Sequence, residues 1–352
     1  CFCCRLYYLV RIYEAKIVQM KFKLTLDAKP SKYPIQYGDK LMLIGSCFTE
    51  NIGAKFKTHL FELSENPYGI LFNPVSVINA LTEIMELRTY KADDLFHHNE
   101  LWHSWNHHSR FSAIENGEAL KNINHTIFEA HHFLKSANRL VITLGSAWLY
   151  HLTNDAPLGN GQVVANNHKG PINWFFKSLM QPNVLQENLQ DLVNRLQAFN
   201  PNLHIVFTIS PVRHLREGLV ENNRSKAVLI HAVHELVHQC NGVDYFPAYE
   251  YVMDDLRDYR FYAEDLVHPN FAASGYVWDK LVETYMDPKT QAIMKQVAEL
   301  QLAMNHKPFF LGSAEHQKFL ESCILKTETL LATYPTLSLQ DHLAFFKASL
   351  SK

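Results

Sequence analysis

Lys40-Leu-Met-Leu-Ile-Gly-Ser-Cys-Phe-Thr-Glu-Asn-Ile-Gly53 is the stretch whose reading decides the fold. Leu41 to Ile44 is an apolar run of the length a strand needs when both of its faces are covered. Gly45-Ser46 breaks it, and Phe48, Ile52 and Phe56 then recur at helical spacing. A small polar residue at such a strand-to-helix turn is carried to the carboxyl edge of the sheet. Open α/β sheets hold their ligands at that edge. The helix that follows aims its first amides and positive dipole end at the same place. A hydroxyl there can attack a carbonyl while amides hold the oxyanion. Taken alone, Gly45-Ser46 reads equally as a bare turn with a helix cap.

A distant stretch changes that balance. Asp265-Leu-Val-His-Pro269 places a carboxylate and an imidazole three residues apart before a helix that opens at Phe271. Pro269 keeps His268 extended. The carboxylate can then reach one ring nitrogen and fix the tautomer, which frees the other nitrogen to act as base toward Ser46.

Between these two stretches lie further strands and helices. Arg139 to Leu144 and His204 to Ile209 are strong strand runs, ending in Gly145-Ser146 and Ser210. Leu60–Ser64 and Val243–Phe246 are shorter ones. Helices are expected from Pro74, with Asn73 as cap, and over 119–134, 185–199, 221–240 and from Phe271. Residues 88–116 predict a hairpin or irregular structure, and 151–174 a long functional loop. Strands alternating with helices predict a parallel sheet covered on both faces. Beyond Pro288 the pattern is helical only. The chain thus divides into an upstream extension or over-called start at 1–19, a catalytic-type domain at 20–286 and a helical C-terminal extension at 287–352.

The chain has 352 residues and a formal net charge of −2, without the basic excess of a nucleic-acid binder. No segment approaches the roughly 18 apolar residues of a membrane helix. Residues 1–19 lack the apolar core and cleavage site of a secretory signal, so a cytoplasmic location is the default expectation. Cys1, Cys3 and Cys4 crowd the start while Cys47, Cys240 and Cys323 stand alone, which is no disulfide framework. The His97-His98, His107-His108 and His131-His132 pairs lack carboxylates at metal spacing, and adjacent residues on one element point apart. No metal or cofactor is called for.

Several motifs together carry a family likeness. Gly45-Ser-Cys-Phe48, Asn66-Pro-Tyr-Gly-Ile-Leu-Phe-Asn-Pro74, Thr143-Leu-Gly-Ser-Ala-Trp148, Ser210-Pro-Val-Arg-His214 and Leu256-Arg-Asp-Tyr-Arg-Phe-Tyr262, running into Asp265-x-x-His268, occur in one order. In this the sequence resembles the GSCFA family, a branch of the SGNH/GDSL-type esterase superfamily. The resemblance implies a flavodoxin-like three-layer α/β/α fold, Ser46 as nucleophile and Asp265–His268 as its activating pair. It implies a small-molecule or glycan O-acyl ester as substrate. Such enzymes take oxyanion donors from the nucleophile's amide, a Gly and an Asn. Gly69 is the expected Gly. The usual Gly-x-Asn-Asp site reads Gly145-Ser-Ala-Trp148 and has no Asn; Ser146, the Trp148 indole, Asn73 and Asn166 are the candidates for the third donor, unless the site is built differently.

His168, in the Asn166-Asn-His-Lys-Gly170 loop, is a further candidate for substrate contact. Arg213 and His214 are candidates for anion or sugar recognition. Arg257, Asp258 and Arg260 read as an internal ion-pair group. Cys47, beside Ser46, is a rival nucleophile, set aside because it opens an apolar helix. An O-acyltransferase, or a weakly catalytic binding protein on the same fold, is the alternative function.

Overall fold

The computed structural model describes residues 24–351. The expected extension at 1–19 lies outside the described residues. The five-stranded sheet comprises β1 (Lys40–Gly45), β2 (Glu62–Glu65), β5 (Arg139–Leu144), β8 (His204–Ile209) and β9 (Val243–Phe246), in the order β2-β1-β5-β8-β9 with every pair parallel. Counted within the sheet, this is the doubly wound order 2-1-3-4-5. The winding reverses between β1 and β5, the crevice in which such sheets hold ligands.

Alternation along β1 separates two apolar layers. Met42 and Ile44 join one core with α2 (Pro74–Met85), α3 (Asn116–Ser136), α4 (Pro182–Phe199) and α5 (Leu219–Gln239). Leu41 and Leu43 join the other with α1 (Cys47–Thr58) and α6 (Phe271–Tyr285). The result is a three-layer α/β/α fold, as expected. Beyond it, α7 (Pro288–Asn305), α8 (Ala314–Thr333) and α9 (Gln340–Leu350) pack into a core of their own around Val297, Leu320, Leu330 and Phe346, with Tyr37 and Leu60 against it.

The residues expected to form a hairpin at 88–116 pair as β3 (Phe96–His98) with β4 (Leu101–His103). The stretch read as a long loop, 151–174, is a loop, closed at its base by a second antiparallel ribbon, β6 (Trp148–Leu152) with β7 (Phe175–Leu179). It leaves the sheet directly after β5 and walls one side of the carboxyl edge. Among the described residues, no helix is long and apolar enough to cross a membrane.

Candidate active site

The β1–α1 turn is fixed by its backbone. Gly45 has φ +141°, and a Cβ there would lie 2.1 Å from the Thr143 carbonyl oxygen, so no side chain fits. Its N–H donates to Asn66 Oδ1 at 2.9 Å, and the Ser46 N–H donates to Thr143 O at 3.1 Å. Ser46 is the extended N-cap of α1, and its carbonyl accepts from the Thr49 N–H at 2.9 Å. Its side chain makes no cap bond. The residue is fully buried and its Oγ has no hydrogen-bond partner. Cys47, the first residue of α1, is only half-buried. Burial pushes its thiol pKa up. The dipoles of the Cys47 and Phe48 backbone N–H groups and the Lys226 charge oppose that rise, while the Glu50 carboxylate adds to it.

The second half of the site is open to solvent. Asp265 Oδ2 lies 2.6 Å from His268 Nδ1, while its Oδ1 accepts from the N–H groups of Val267 at 2.9 Å and His268 at 3.0 Å. These contacts, the His268 N–H foremost, hold the carboxyl down to about 2. The two side chains are 48 % and 47 % exposed, so the imidazole is oriented at one nitrogen and accessible at the other. No hydrogen bond joins His268 to Ser46, whose Oγ is enclosed.

Four expected residues meet in one place. Asn73, Ser146, Trp148 and Asn166 line a cleft of about 300 Å³ formed by the segments that follow β5 and β8, with Phe72, Tyr150, Asn167, His214 and Arg216. Asn73, Ser146 and Trp148 use their donors within the fold, and Asn166 uses its acceptor. Asn73 caps α2 through the Ser76 N–H at 2.8 Å and donates to Val164 O at 3.2 Å. Ser146 Oγ meets Ser225 Oγ at 3.2 Å, and the Trp148 indole donates to Glu221 O at 3.3 Å. Asn166 Oδ1 accepts from the His168 N–H at 2.8 Å.

Other candidates stand elsewhere. Gly69 has φ +79° in a tight turn, its N–H donates to Asn66 O at 2.7 Å, and His108 packs against it. It serves the turn, and its amide is not free for an oxyanion. The Gly145 and Ser146 N–H groups both donate to Phe72 O at 2.9 Å and are likewise occupied. His168 is buried, with Nε2 2.8 Å from Ser104 O, and holds its loop. Arg213 braces the catalytic-type turn: its N–H donates to Val267 O at 3.2 Å and its Nη1 to Leu266 O at 3.2 Å, with the guanidinium over the Tyr262 ring. Arg260 pairs with Asp258 at 2.9 Å on the surface, so the pair is exposed and not the internal group with Arg257 that was expected.

The residue that sequence reading missed is Lys226. It is fully buried, donates to Gly145 O and Ser210 O at 2.6 Å each, and so ties the ends of β5 and β8 together. Burial lowers its pKa to about 7, partly offset by Cys47. The signal was present: Asn222, Ser225, Lys226, Leu229, Ala232, Val233 and Leu236 share the inward face of α5. His214 reaches the same centre. Its buried Nε2 has no partner and lies 3.2 Å from where a Cβ on Gly145 would sit. Burial, then the charges of Lys226 and His268, bring its pKa down to about 4, with Glu217 opposing. Among the described residues, no group of three or more His, Cys, Asp or Glu is arranged to hold a metal.

The GSCFA family matches residues 40–281, and the family's C-terminal domain matches residues 297–352. The chain belongs to the GSCFA family. No curated protein matches it. Among solved structures, the GSCFA chain is similar to a family 3 carbohydrate esterase of Clostridium thermocellum, at 11 % identity and TM-score 0.33, covering 74 % of this chain and 98 % of that one. A family 3 carbohydrate esterase from Talaromyces cellulolyticus gives 9 %, 0.33, 73 % and 98 %. An acetyl xylan esterase of the rumen bacterium Butyrivibrio proteoclasticus gives 12 %, 0.34, 72 % and 64 %. These likenesses are too distant to assign an activity.

Proposed function

We propose that this GSCFA protein is an acyl-ester hydrolase working at the carboxyl edge of its sheet. The observation that carries the reading is the Asp265–His268 contact of 2.6 Å, made on an exposed turn beside that edge. An imidazole held in one tautomer by a carboxylate is the general base that acyl transfer needs. The nucleophile comes from the β1–α1 turn, where Ser46 and Cys47 stand side by side. The cleft is the place for substrate. Its Phe72, Trp148 and Tyr150 rings, interleaved with Asn166, Asn167 and Arg216, suit an acylated sugar: rings cover the apolar face and amides meet the hydroxyls.

In the reaction the nucleophile passes its proton to His268 Nε2 and attacks the ester carbonyl. His268 returns the proton to the leaving alcohol, and a water then hydrolyses the acyl-enzyme. A binding protein on the same fold is the competing reading, favoured by the engaged amides of Gly69, Gly145 and Ser146.

Turnover of p-nitrophenyl acetate and of a peracetylated sugar by wild type and His268→Ala tests the proposal. His268→Ala is expected to lose about 100- to 10,000-fold. Wild type no faster than buffer, or an equally fast His268→Ala, would leave the binding reading in possession.

A further inference from the structure

We propose that the cleft selects an acylated sugar bearing a carboxylate, that is, an acyl ester of a uronic acid, and that Arg216 sets this preference. This rests on the reading of the cleft as the place for substrate and names the substrate class within it.

Charge singles out Arg216. It is the one permanently charged residue lining the cleft, and no carboxylate lines it. The acids on the flanking segments are already matched. Glu217 accepts from Lys177 Nζ at 2.7 Å and from Tyr150 Oη at 3.0 Å. Glu221 is held by Arg224 Nη1 at 2.8 Å. Among the described residues, no carboxylate stands within ion-pair distance of Arg216. One positive charge is therefore left over at the wall of the cleft.

That charge is held in place without being neutralised. Arg216 Nη1 donates to Tyr150 Oη at 3.3 Å, and the guanidinium lies 5.6 Å from the centre of the same ring. The Tyr150 hydroxyl spends its own proton on Glu217, so it can only accept from Arg216. The arginine is braced by a neutral oxygen, and its other N–H groups remain for a ligand.

A carboxylate suits what remains. A guanidinium offers two parallel N–H groups to the two oxygens of one carboxylate. A single positive charge balances a carboxylate, whereas a phosphate ester brings about −1.5 to −2 at neutral pH. The second polar group at this wall is His214, whose Nε2 has no hydrogen-bond partner. Burial keeps that ring neutral, so it supplies a dipole and no further charge.

The same segment reaches the catalytic-type turn. Arg213 donates from its N–H to Val267 O and from Nη1 to Leu266 O, both at 3.2 Å. The stretch that carries His214 and Arg216 to the cleft is thus bonded to the turn that carries Asp265 and His268. A sugar anchored on Arg216 is held by the segment that braces the general base.

Acetate release from methyl tri-O-acetylglucuronoside and from its neutral carboxamide tests the assignment, because the two esters differ in charge alone. Wild type is expected to favour the carboxylate about tenfold or more in kcat/KM. The ratio should fall to about one in Arg216→Gln, survive in part in Arg216→Lys, and shrink as salt is raised. Equal rates on both esters, or a ratio that persists in Arg216→Gln, would overturn it and leave the hydrolase reading standing. If neither ester is turned over, the hydrolase reading falls by itself. Calorimetric titration with unacylated methyl glucuronoside, its carboxamide and methyl glucoside 6-phosphate then decides the anion preference. Tightest binding of the glucuronoside, lost in Arg216→Gln, supports the assignment. Indifference to charge, no binding, or a preference for the phosphate overturns it.

Discussion

The two halves of the site are built on opposite physical terms. The β1–α1 half is enclosed: Ser46 and Lys226 are sealed, Gly45 has no room for a side chain, and the turn is bonded into the sheet. The Asp265–His268 half stands nearly half exposed and is held by local bonds and by Arg213. The enclosed half can hold fixed dipoles and a buried charge in a low-dielectric setting, where they act strongly on a forming oxyanion. The exposed half can exchange protons with water. A hydrolase needs both, and neither half can do the other's work.

The sharpest way to break the contrast is to remove the orienting carboxylate alone. Asp265→Asn keeps an oxygen for the Val267 and His268 amides, so the turn should persist, while the wrong tautomer is stabilised. Turnover is expected to fall about 10,000-fold with an unchanged melting temperature. On the enclosed side the expected damage is to stability. Gly45→Ala puts a Cβ on the Thr143 carbonyl at an unfavourable φ, and should destabilise by about 3 kcal/mol in denaturant melts with activity lost alongside. Lys226→Met strands the carbonyls of Gly145 and Ser210, at a cost of about 1–3 kcal/mol.

Acid should weaken the parts of the fold that bury neutral histidines first. Burial brings His107 to about 3, His168 to about 4 and His214 to about 4 from an ordinary 6.5. Below pH 6.5 the unfolded chain therefore binds more protons than the folded one. Stability present above that pH is lost as the pH falls toward 4. Melting temperatures from pH 7.5 to 4.5 should decline, and His107→Phe should flatten the decline. The smallest effect is expected at Arg213→Ala. It removes one side-chain bond to Leu266 O but leaves the backbone bond to Val267 O, so turnover should drop less than about tenfold at unchanged KM.

Much of this was legible in the sequence because it is local. The apolar run and break at Leu41–Ser46, the helical spacing of Phe48, Ile52 and Phe56, and the three-residue interval of Asp265 and His268 each encode their geometry within a few positions. The doubly covered parallel sheet followed from alternation of strands and helices. What stayed hidden depends on partners far away. The ribbon of Trp148–Leu152 with Phe175–Leu179 is closed by a connection too long for pattern to register. Gly69 was read for its type, but its amide is claimed by Asn66. Asn73, Ser146, Trp148 and Asn166 were read as alternative oxyanion donors; all four line one cleft, yet the donors of Asn73, Ser146 and Trp148 are engaged in ways only the packed structure reveals. Lys226 was overlooked because a charge inside a helix reads as solvated until the helix's inward face is traced around it.

Where the acyl group travels during turnover is the most direct question. Wild type reacting with p-nitrophenyl acetate can be quenched in acid, digested and sequenced by mass spectrometry. The account predicts an acetyl group on the β1–α1 turn, carried by Ser46 or Cys47. Steady turnover with neither residue acylated, or acetyl held by a residue outside that turn, would contradict it.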